Sequence, residues 1–189
     1  MSAQTQTSSA ARSPDLKPYY FARAGFSVAW VAVAFTAGAS NPQIAAALLV
    51  AYPAWDAIAN IVDAQRSGGL KTNPSQGLNA AASILTTIAV IIALGMGMHA
   101  VLAVFGVWAI LSGLFQLATG ARRWKTGGQW AMVLSGAQSA LAGAFFIKQA
   151  TGAALPGITD IAPYAAFGAF YFLVAAIWLS VKQARSATA

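Results

Sequence analysis

The chain has 189 residues, 58% of them hydrophobic and only 8% charged, and its mean hydropathy of +0.64 excludes a water-soluble domain, which needs more polar surface. Eleven Lys and Arg against four Asp and Glu give a net charge of +7, a value that suggests nucleic acid in a soluble protein but that membrane topology accounts for here. With no cysteine and one histidine, the chain has no disulfide, iron–sulfur cluster or thiolate zinc site, and no cofactor or metal centre is expected.

Residues 1–18, rich in Ser, Thr, Ala and Gln, read as a disordered cytoplasmic tail. Six apolar segments follow, each near the roughly 20 helical residues that cross a hydrocarbon core. They make residues 19–183 an all-α transmembrane domain, with 184–189 as a short cytoplasmic tail. The first span is Tyr20 to Ala39. Ala37-Gly38-Ala39 imitates a signal-peptide cleavage site, but cleavage would leave an odd number of spans. Asn41-Pro42 starts the second span, Ile44 to Ala64.

The second span holds Asp56, Asn60 and Asp63, whose offsets place them on one stripe of the helix, with Pro53 on the same side. Asp63 lies near the helix end and, at i+3 from Arg66, is expected to form an interfacial salt bridge. Asp56 lies about 10 Å deeper, where an aspartate costs about 3 kcal/mol unless paired or wetted. Two readings of it stand. It is a protonatable group that acts as relay or sensor, or it is a packing lock bonded to Asn79, Thr86, Gln116, Gln138 or a Trp indole.

Asn73-Pro74-Ser75 opens the third span, Leu78 to Met96, with Thr86 and Thr87 inside it. His99 then stands in a short outer loop where it could register external acid; Met96 and Met98 beside it raise a copper site, but no further ligand supports one. The fourth span, Ala100 to Thr119, carries Ser112 and Gln116, and the fifth, Gln129 to Gln149, carries Ser135, Gln138 and Ser139. Gln116 and Gln138 are expected to face the bundle centre and bond each other or Asp56. Gly136, Ser139, Ala140 and Gly143 make the fifth helix a small-residue ridge for close approach. The sixth span is Ile161 to Val181, preceded by Thr159-Asp160.

All the basic residues except Lys148 fall on one side of the spans, so both termini are expected in the cytoplasm. The even-numbered helices share a pattern of aromatic, Gly or Pro, small, aromatic at Tyr52 to Trp55, Phe105 to Trp108 and Phe167 to Phe170, which suggests three helical hairpins. No nucleophile elbow, zinc signature or Walker loop occurs, and an enzyme is not expected.

Val104 to Trp124 and Gly127 to Phe146 resemble the repeat of the HdeD-like acid-resistance membrane proteins, short six-helix chains of bacteria. The resemblance rests on Phe105-Gly106, Ser112-Gly113, Arg122-Arg123, Ser135-Gly136 and Gly143. It implies an inner-membrane protein that supports tolerance of acid or envelope stress, and it brings no catalytic residues. The polar stripe of the second helix departs from the pattern. A small transporter or channel whose polar seam passes a proton or small solute is the alternative, and a passive scaffold a further one. The expected partners are the lipid bilayer and a second copy or another membrane protein, not nucleic acid.

Overall fold

The computed structural model describes residues 16–66, 68–122, 124–126 and 130–187; most of the expected N-terminal tail lies outside them. Six helices account for nearly all of this: α1 (Lys17–Val33), α2 (Pro42–Arg66), α3 (Pro74–Leu94), α4 (Met98–Arg122), α5 (Trp130–Ala150) and α6 (Ile158–Ala187). Helix α1 runs into a π-helical turn at Ala34–Gly38, and a short 3₁₀ turn, Trp124–Thr126, follows α4. All six are long and apolar enough to cross a membrane. The protein is therefore a multi-pass membrane protein, and its perimeter of exposed Ile, Leu and Phe is its lipid contact.

Local chemistry sets the helix starts. The Asn41 side chain accepts from the backbone N–H groups of Gln43 and Ile44 at 3.0 and 3.1 Å, with Pro42 at the first helical position. At α6 the Asp160 carboxylate reaches back to the Gly157 N–H at 2.7 Å, a capping-box geometry. Helix α6 thus begins at Ile158, ahead of the expected Ile161, and encloses Pro163 within its first turns; it also continues to Ala187, into the stretch expected as a tail. Between α2 and α3 the chain turns through Gly68 and Gly69, with φ of 99° and 98°, a conformation that favours glycine.

The closest packing does not follow the three expected hairpins. Helix α4 packs most tightly on α5, α1 on α6, and α2 on α3, which in turn meets α4. The backbones of α1 and α2 approach each other mainly near their connecting turn, with the rings of Phe26, Trp30, Tyr52 and Trp55 meeting further along, and those of α5 and α6 stand apart. The α4–α5 contact is built on two reciprocal glycine pairs, Gly113 with Gly136 and Gly106 with Gly143. A Cβ added to Gly113 would lie 2.5 Å from the Gly136 carbonyl oxygen, and one added to Gly106 would lie 2.9 Å from that of Gly143. The small-residue ridge of α5 therefore meets a matching ridge on α4, as its composition predicts.

Trp30, Leu49, Val90, Leu102, Phe105 and Ile161 are among the buried core residues. These lie toward the ends of the helices that meet at the 39–41, 95–97 and 151–157 connections, opposite the basic turns. One half of the bundle is thus sealed by hydrophobic packing, while polar groups collect toward the middle and the basic end.

Candidate functional site: a buried ion pair beside a lateral cavity

Helix α2 continues through Pro53, which cannot donate to the carbonyl one turn back and so loosens the backbone ladder there. Trp30 of α1 donates its indole N–H to the neighbouring Leu48 carbonyl at 2.7 Å. One turn further along, Asp56 forms an ion pair with Arg23 of α1. The other carboxylate oxygen of Asp56 accepts from the Ser83 hydroxyl of α3 at 2.8 Å and from the Asn60 amide at 2.9 Å. Ser83, wholly buried, in turn accepts from the Trp108 indole of α4 at 3.1 Å. Groups from three helices therefore converge on one carboxylate, and α4 joins them through Ser83.

Arg23 is held from several sides. It donates to the Tyr19 hydroxyl at 3.0 Å, and its guanidinium lies over the Phe172 ring of α6 at 4.1 Å from the centroid, a cation–π geometry that gains strength when desolvated. Its Nε is buried and has no acceptor. The ion-paired side chains are 12% and 18% exposed, so the charges are largely out of solvent and depend on each other.

Where α5 and α6 part, a cavity of about 460 Å³ opens beside this cluster. Tyr52, Trp108, Phe146, Tyr164, Tyr171 and Phe172 supply aromatic wall, and Arg23, Gln116, Ser135 and Gln138 supply polar atoms. Leu141, Phe145 and Phe167 also line it and are 72%, 61% and 52% exposed, so its mouth lies on the lipid-facing perimeter between the two helices. Hydrogen bonds, not close packing, tie α5 to α6 across the gap. The Tyr171 hydroxyl donates to Gln138 at 2.8 Å, Ser139 and Tyr164 share a bond of 3.0 Å, and Gln149 donates to Asp160 at 2.7 Å.

The expected polar seam is thereby divided. Asp56 and Asn60 stand together, but none of the side chains expected as direct partners bonds Asp56. Its partners are Arg23 and Ser83, with the Trp108 indole one bond removed. Asp63 accepts from Gln76 of α3 at 3.2 Å, and the expected bridge to Arg66 is not formed; the facing helix offers an amide directly, whereas the Arg66 side chain is exposed. Gln116 and Gln138 both face the cavity but do not bond each other: Gln138 takes Tyr171, and the buried Gln116 Oε1 has no donor. His99 stands in the first turn of α4, not in the expected loop; it is half-buried, with Nε2 3.2 Å from the Gly152 carbonyl oxygen, tying the start of α4 to the turn after α5. Sequence reasoning missed Arg23, Ser83 and Tyr171. The usable signal was Arg23, which lies inside the first span and not before it, and so needs a counter-charge.

Residues 78–148 match the family described as a short repeat of unknown function, DUF308. The matched stretch runs from α3 through most of α5 and contains both glycine pairs and the Ser83–Trp108 bond, but neither Arg23 nor Asp56. No curated protein and no solved structure matches the chain.

Proposed function

We propose that this chain is a non-enzymatic protein of the bacterial inner membrane, with both termini cytoplasmic, that supports tolerance of acid or a related envelope stress, as its resemblance to the HdeD-like proteins implies. The observation that carries the proposal is the Arg23–Asp56 ion pair. It joins the α1–α6 pair to the α2–α3 pair where the α1 and α2 backbones stand apart, with the stacked Phe26 and Trp55 rings as the neighbouring contact. Protonating Asp56 removes its charge and leaves Arg23 to Tyr19 and Phe172. The helix pairs then separate at this level while the hydrophobic core at the other end stays packed, a local charge change read out by a two-state element.

The test is acid survival of a deletion strain carrying wild type, Asp56→Asn, Asp56→Ala or Arg23→Gln, with membrane abundance measured in parallel. Loss of protection by the Asp56 variants at normal abundance is expected. Full protection by Asp56→Asn would sink the proton-linked role and leave a passive scaffold.

The cavity favours a second role, that of a small transporter or channel. A laterally open, aromatic-walled space with a few polar groups suits a solute that arrives through the lipid. Flux of such a solute in proteoliposomes tests it.

A further inference from the structure

The cavity between α5 and α6 has a chemistry specific enough to name the class of molecule it takes, an inference that rests on the cavity being a solute site. Its volume of about 460 Å³ falls in the range of about 300–1,000 Å³ usual for small-molecule pockets. Its walls carry eight aromatic side chains, which favour a flat, apolar, ring-bearing body through offset and edge contacts. Its mouth carries Leu141, Phe145 and Phe167 at the lipid-facing perimeter, so the ligand enters from the bilayer and must partition there.

The polar groups set the ligand's head. Arg23 is the one cationic side chain lining the cavity, and Asp56 already neutralises it. Asp160, the one lining carboxylate, has its oxygens engaged by the Gly157 N–H and the Gln149 amide. An anionic head would meet no unmatched positive charge and would face the Asp160 carboxylate, at a desolvation cost that nothing offsets. Two lining residues hold buried polar atoms of opposite kind without partners, the Gln116 Oε1 an acceptor and the Arg23 Nε a donor, and a small side-chain rotation toward the cavity is what brings either to a ligand. A hydroxyl group serves both kinds, since it donates once and accepts twice. We infer that the cavity binds an uncharged amphiphile with a ring-bearing apolar body and a hydroxyl head, which donates to Gln116.

Equilibrium dialysis of naphthol, naphthoate and naphthalene against the full chain in lipid nanodiscs, with protein-free nanodiscs subtracted, tests this at neutral pH. Naphthol is expected to show a saturable excess of one molecule per chain, and naphthoate, of similar size but charged, to bind at least tenfold more weakly. Gln116→Leu should weaken naphthol about tenfold, the loss of one buried hydrogen bond, and bring its affinity to that of naphthalene. Ala142→Trp, which fills the cavity from α5, should abolish the excess. If that variant does not assemble, Gln116→Leu at unchanged melting temperature decides, and undiminished naphthol binding by it overturns the inference. Naphthoate binding as tightly as naphthol and lost in Ala142→Trp would overturn the ligand class and leave the solute site standing. No saturable excess for any of the three probes would overturn both.

Discussion

Arg23 and Asp56 are worth more to each other than either is to the fold alone. Each is largely removed from solvent, so removing one partner leaves the other as an uncompensated buried charge, at a cost of about 3–5 kcal/mol. Arg23→Leu and Asp56→Leu are each expected to lower stability in detergent by that order, whereas the double variant should recover most of the loss. Additive single effects in a melting or denaturant series would show that the pair does not act as a unit. Trp108→Phe, which keeps the ring but removes the donor to Ser83, should cost about 1 kcal/mol. Asp56 was legible as an oddity because an aspartate among Ala, Ile and Val stands out on a helical wheel. Its partner was not, because Arg23 lies near the start of α1 and counts equally well as a cytoplasmic flank; a linear sequence does not say that Arg23 and Asp56 lie opposite each other across α1 and α2.

The helices differ in what holds them together, and this separates the legible part of the fold from the rest. Gly136 and Gly143 could be read as part of a close-approach ridge on α5, whereas Gly106 and Gly113 of α4 were legible only as part of the repeat, although only a missing Cβ lets two backbones come so near. The structure adds that they pair reciprocally across α4 and α5. Gly113→Ala and Gly106→Ala should therefore each destabilise the protein by about 1–3 kcal/mol, since the added methyl meets backbone atoms that cannot rotate away. Gly25→Ala in α1, where an added Cβ meets nothing within 4 Å, should be neutral or stabilising by up to about 1 kcal/mol through helix propensity. Equal melting temperatures for Gly113→Ala and Gly25→Ala would remove the glycine pairs from the account of the fold. The helix pairing itself was less legible. Short loops make α1–α2 and α5–α6 neighbours in the chain, but which faces meet depends on side-chain volumes summed over both helices. In α5 and α6 that sum leaves a gap.

For the whole molecule, the placement of the core decides from which side a proton could reach Asp56. The buried aromatic and aliphatic cluster fills the half of the bundle around Trp30, Leu102 and Ile161, and Arg23 sits toward the opposite, basic end, where Tyr19 and Tyr20 begin α1. If that end faces the cytoplasm, as proposed from the distribution of Lys and Arg, the hydrophobic half separates the ion pair from the external medium. The absence of cysteine from the sequence makes the orientation directly measurable. A membrane-impermeant maleimide should label Met96→Cys, at an outer position 74% exposed, in intact cells, and should label Lys125→Cys only after permeabilisation. With that orientation, the pair responds to acidification of the cytoplasm and not of the exterior. A permeant weak acid added at constant external pH should then elicit the Asp56-dependent phenotype, whereas external acid buffered against entry should not. The opposite dependence, in cells whose labelling confirms the orientation, would mean that protons cross the aromatic half of the bundle. The lateral cavity, which reaches from Asp160 near the outer end to Gln116 and Arg23, would then be their route, and filling it with Ala142→Trp should abolish the response.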